Sequence, residues 1–240
     1  MLRSFRLAVG VALLMGLAMF PSNASADQID FLGVGHASTV TIAGVRNGTF
    51  SAGELNWAWI GTTPAGFARN FYSYCVDVQH NLTDPETVVA RSSTGFTNGA
   101  VGGGEKAAWL FNNYAGDIRG AIGMTAAQAN TNAAALQIAI WEAMYDTSNS
   151  LTGGSFMLAG ASLGSAVQTR ANAYLTALYS GVGGAYQTSV ATILEVVSPN
   201  LGQDQIISRV AEPSTLMMMG VALLVFVKRA RRTNSESARA

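Results

Sequence analysis

The chain has 240 residues, with 14 Lys and Arg against 14 Asp and Glu, two histidines and a single cysteine. With no basic cluster outside its two ends, it is not built for nucleic acid. One Cys and two His offer no metal-ligand spacing, and one Cys excludes an internal disulfide framework.

The first residues read as a secretory signal peptide. Arg3 and Arg6 precede an apolar run from Leu7 to Phe20, and Ala24-Ser25-Ala26 offers a small-x-small cleavage site. The run is shorter than the roughly 20 residues of a spanning helix. Residues 1–26 are therefore expected to be removed, leaving Asp27 as the mature N-terminus.

Strands are predicted next. Ser38 to Val45 is β-branched, and Asn47-Gly48 is a strong hairpin signal. Thr49 to Ile60 is the expected return strand, with Leu55, Trp57 and Trp59 alternating against Glu54, Asn56 and Ala58. Asn70 to Gln79 reads as a further strand. Its alternation places Tyr72, Tyr74, Val76 and Val78 on one face and Phe71, Ser73, Cys75 and Asp77 on the other. Glu86 to Ser92 adds a strand after a turn at Asp84-Pro85.

The middle reads as helical. Gly102-Gly103-Gly104 closes the β part, and Glu105 to Tyr114 makes a short helix, followed by a loop through Gly116, Gly120 and Gly123. Thr125 is the expected N-cap of a helix from Ala126 to about Tyr145. Ala133, Leu136, Gln137, Ile140, Trp141, Met144 and Tyr145 recur at helical spacing, with Glu142 off that stripe. A third helix spans roughly Leu163 to Tyr179, Thr188 to Val197 is the last strand, and Asp204 to Val210 leads into a linker. Residues 27–210 are thus expected to form a single α+β domain: a β-rich sheet or barrel-like half with a helical insertion.

The last thirty residues form a second export signal. Ala211-Glu212-Pro213-Ser214-Thr215 precedes an apolar stretch from Leu216 to Val227, and then come Lys228, Arg229, Arg231 and Arg232. Basic residues after a short transmembrane segment stay cytoplasmic, which leaves the body outside. This order resembles the PEP-CTERM sorting signal of Gram-negative bacteria, with Ala211 in place of the usual first proline. The resemblance implies processing by an exosortase-like enzyme, a transient hold on the inner membrane, and delivery to the cell surface or the extracellular matrix. Without both signals, Asp27 to Pro213 carries 7 basic and 13 acidic residues, net −6.

Two residues carry the chemistry. A lone thiol in an exported protein needs an explanation other than a disulfide. Cys75 lies in the run Tyr74-Cys75-Val76-Asp77, and Gln137 is a polar side chain within an apolar helical face. A buried amide costs free energy unless its hydrogen bonds are met. The pair Tyr-Cys-Val-Asp and Leu-Gln-Ile-Ala-Ile-Trp is similar to the motif pair of bacterial thioester domains, found in surface adhesins of Gram-positive organisms. Lys106 to Tyr114 resembles the helix those domains place between the two motifs. The resemblance covers Phe71 to Asp146, and Leu136 stands where a threonine often precedes the glutamine. It implies a thioester cross-link in which Cys75 is the thiol and Gln137 the acyl donor.

The expected function follows from both resemblances. The protein is read as a surface or matrix module, not an enzyme and without a cofactor, that captures an amine or hydroxyl of a polysaccharide or protein. The alternative is a non-covalent structural protein of the extracellular or biofilm matrix with a buried, unreactive Cys75. An enzyme with Cys75 as nucleophile and His36 or His80 as base lacks any recognisable catalytic context. Trp57, Trp59 and Trp141 are read as core residues.

Overall fold

The computed structural model describes residues 26–120, 122–180, 185–197 and 202–209. Almost all of the expected signal peptide, and the sorting signal with Ala211, Glu212 and Pro213, lie outside the described residues.

Seven strands form: β1 (Asp27–Gly44), β2 (Gly48–Trp59), β3 (Asn70–Cys75), β4 (Glu86–Ser92), β5 (Phe156–Leu158), β6 (Thr192–Val196) and β7 (Gln205–Ile207). Three α-helices lie between β4 and β6: α1 (Gly103–Gly120), α2 (Ala126–Tyr145) and α3 (Ala166–Ser180). The strands join one antiparallel sheet in the order β2-β3-β7-β6-β4-β1-β5. Because β1 also pairs with β2, the six strands β1-β2-β3-β7-β6-β4 close on themselves as a barrel. The domain is thus α+β, as its sequence predicts.

Closure depends on a bent first strand. The N-terminal end of β1 pairs with β4 and its C-terminal end with β5, while β2 follows it along its length. Register shifts between Phe31 and Gly33 and between Val34 and Ala37 supply the bend, as bulges do at barrel corners. Gly53 faces the second shift at φ 147°, where a Cβ would meet the His36 carbonyl oxygen at 2.3 Å. Only glycine fits there.

Residues directly paired across strands share a face. Leu55 pairs with Ser73, Ile29 with Trp59, and Cys75 with Gln205, which pairs in turn with Leu194. That face is the barrel interior, where Ile29, Leu55, Trp57, Trp59, Val88, Leu194 and Ile207 form one buried cluster. Inside it, the Trp57 indole N–H donates to Ser73 Oγ (2.9 Å), and Ser73 donates to Gln205 Oε1 (2.8 Å). The outer face presents Tyr74, Ile193 and Ile206 to the helices, in a second cluster with Phe111, Leu136 and Leu175.

Helix α2 holds the layers together. It starts at a capping box, with the Thr125 side chain accepting from Gln128 N and the Gln128 side chain accepting from Thr125 N. It then runs between α1 and α3 and against β1, β2 and β3. From Ala133 to Tyr145 every residue is buried. The expected one-sided stripe is therefore corrected: Glu142 is fully buried, because alanines at 133–135, 139 and 143 let neighbours close in on all sides.

Other boundaries shift for tertiary reasons. Helix α1 continues through Gly116 to Gly120 where a loop is predicted, since Ala115 and Ile118 are buried and Arg119 is tied to Glu54. Strand β3 stops at Cys75, not Gln79: its neighbour β7 begins at Gln205, and the Asp77 carboxylate then accepts from Gln79 N. Asp204 to Val210, read as the approach to a linker, contains β7, a barrel strand, and β5 carries no alternation long enough to predict.

Candidate functional site

Cys75 is the last residue of β3 and Gln137 lies in the middle of α2, 62 residues apart in sequence. The fold brings them together. Cys75 N–H donates to Gln137 Oε1 at 2.9 Å, and Gln137 Nε2 donates to the Cys75 carbonyl at 2.6 Å. The amide thus completes the hydrogen bonding of β3 at the point where the strand ends. Both residues are buried, Cys75 with 3% and Gln137 with 1% of its surface exposed.

The thiol has its own setting. Cys75 Sγ donates to the Asp77 carbonyl at 2.7 Å. Burial is the main cause that pushes its pKa well above the ordinary thiol value, and the Asp77 charge adds to it. The Trp141 indole N–H, buried without an acceptor of good geometry among the described residues, lies beside the sulfur and favours its thiolate.

The Asp77 carboxylate is anchored on three sides. Tyr145 donates to Oδ1 (3.1 Å), Gln79 N donates to Oδ1 (2.8 Å), and His80 Nδ1 bonds Oδ2. Tyr145 OH in turn accepts from Val78 N (3.2 Å). Asp77 therefore fixes the turn that carries the thiol's acceptor. Tyr74, the other residue next to Cys75, faces the helices. His36 pairs with Asn130 and His80 with Asp77, and neither makes a hydrogen bond to Cys75.

Cys75 and Gln137 both line a cavity of ≈ 270 Å³. Phe31, Phe50, Leu55, Leu82 and Trp141 form much of its wall, with Arg46, Asn81 and Gln203 among its polar groups. Sequence reasoning missed Arg46, Asn81 and Gln203. Their only signal is that a lone basic residue, Arg46, precedes the Asn-Gly pair, while Asn81 and Gln203 lie just outside the predicted elements. A larger cavity of ≈ 490 Å³, beside Arg91, Asn112 and Arg209, lies away from the pair.

Chemically, the arrangement suits acyl transfer. The Gln137 carbonyl oxygen already faces a backbone N–H, the donor an oxyanion needs when a nucleophile adds to that carbon. Attack by the Cys75 sulfur expels ammonia, which carries off the thiol proton, and leaves an acyl-thiol bond. Among the described residues no group of three His, Cys, Asp or Glu is placed to hold a metal ion, and no helix is long and apolar enough to cross a membrane.

No known protein family matches this chain, and neither does any curated protein or solved structure.

Proposed function

We propose that this is an exported surface or matrix protein that holds an internal thioester between Cys75 and Gln137 and uses it to attach covalently to an amine or hydroxyl of a partner polymer. The observation that carries the reading is the two-point pairing of the Gln137 amide with the Cys75 main chain, both residues lining a cavity. A strained acyl donor must be held next to its thiol and still be reachable, and this geometry supports both. The sorting signal read in residues 211–240 supports placement outside the inner membrane, after handling by an exosortase-like enzyme. Capture is a single turnover: the nucleophile takes the Gln137 acyl group and Cys75 is released as a thiol.

A second reading has its own support. Both polar atoms of the Gln137 side chain are satisfied and the thiol has an acceptor, as in a structural matrix protein with an inert core. Intact mass separates the two. The thioester predicts a deficit of about 17 Da, one ammonia, in the mature domain and none in Cys75→Ala. A full, unmodified mass would leave the structural reading.

A further inference from the structure

Resting on the thioester reading, the walls of the cavity bear on which nucleophile is captured. Among the described residues no carboxylate lines it. Asp77 and Asp204 act on the sulfur from outside the cavity, and each is engaged: Asp77 with Tyr145 and His80, Asp204 with Val196 N. Among the described residues that line it, the one charged group is Arg46. Its guanidinium donates to the carbonyls of Val78 (3.0 Å) and His80 (2.9 Å) and to Asn81 Oδ1 (2.5 Å), and it stacks 4.7 Å from the centroid of Phe50. All of these partners are neutral, so among the described residues no carboxylate pairs with the guanidinium.

An ammonium group entering this space sheds water, finds no carboxylate and faces a like charge. A hydroxyl brings no charge. Aromatic walls from Phe31, Phe50 and Trp141, with the side-chain amides of Asn81 and Gln203, provide the mixed surface that a sugar ring uses. We propose that the cavity selects uncharged nucleophiles, that the captured group is a saccharide hydroxyl, and that Arg46 sets this choice. The hydroxyl oxygen adds to the Gln137 carbonyl carbon and the carbon–sulfur bond breaks. An ester remains on Gln137, and the hydroxyl proton ends on the Cys75 sulfur.

The test uses the mature protein and intact mass at pH 7, with three probes: glycerol, methoxyamine (uncharged) and methylamine (protonated). Rates are normalised to those of a small thioester in solution. The native protein is expected to form the glycerol ester, and to take methylamine about tenfold or more slowly than methoxyamine after normalisation. Arg46→Glu is expected to raise the methylamine-to-methoxyamine ratio by about tenfold, and Arg46→Gln to move it the same way by less, which covers a folding failure of the first variant. A protein that takes methylamine but no glycerol, or a ratio that neither variant moves, overturns the selectivity while leaving the thioester in place. Absence of the ammonia deficit before any probe is added overturns both.

Discussion

The side-chain amide of Gln137 does for Cys75 what a neighbouring strand would do: it meets the N–H and the carbonyl of one residue at 2.9 and 2.6 Å. This relationship separates two variants, each of which removes one partner of the proposed cross-link. Gln137→Ala leaves a buried N–H and a buried carbonyl at the end of β3 without partners, and adds a cavity in α2. Cys75→Ala keeps the main-chain pairing and loses only the thiol. The first is expected to cost about 2–4 kcal/mol more than the second in urea unfolding. Equal stabilities would show that the amide pairing contributes nothing.

Native Cys75 is expected to be silent to thiol reagents for two reasons that can be told apart. Burial alone hides it only while the protein is folded. An acyl-thiol bond hides it in urea as well, until hydroxylamine cleaves the bond and one thiol per chain titrates. A thiol that appears in urea without hydroxylamine would contradict the covalent reading.

An ion pair adds to the apolar packing of α1 on the barrel. Glu54 lies on the outer face of β2 with its side chain 2% exposed, and Arg119 meets its two oxygens at 2.6 and 2.7 Å while stacking over Tyr72. Arg119→Ala strands a buried carboxylate and is expected to cost about 3 kcal/mol, part of which Glu54→Gln in the same chain restores. Denaturation of the two variants checks this, and an unaffected midpoint in Arg119→Ala would refute it.

How far the sequence reaches is clear at the same residues. Leu55, Trp57 and Trp59 alternate, so β2 and its buried face are legible, as is the Thr125 cap of α2. Glu54 reads as a solvent-facing residue because alternation cannot see a helix packing on the outer face. The run from Gly116 to Gly120 reads as a loop because local propensity cannot see that Ile118 is buried and Arg119 paired. Strand β7 has only three residues, too few for alternation to show, and its pairing with β3 is long-range. Two short motifs point to the Cys75–Gln137 juxtaposition, whereas the cavity they line is also built from Phe31, Arg46, Asn81 and Gln203, which no sequence spacing connects.

Stability should fall as pH rises from weakly acidic to weakly basic. Burial is the first cause that raises Glu142 to about 8, Glu86 to about 7 and Asp204 to about 6, from ordinary values of 4.5, 4.5 and 3.8. In the folded protein each of the three keeps its proton over a range where the unfolded chain has lost it. Their contribution is therefore fully present below the unfolded pKa and is lost as pH passes each folded value. The melting temperature is expected to be highest near pH 5 and to drop by about 5 °C or more by pH 8. Glu142→Gln, which keeps shape and removes the charge, should make the fall shallower across the whole window from 4.5 to about 8 and nearly abolish it at the upper end, where Glu86 and Asp204 no longer contribute. Melting curves at pH 5, 6.5 and 8 on both proteins decide the matter. A native protein more stable at pH 8 than at pH 5 would mean that these carboxyls are ionised in the fold.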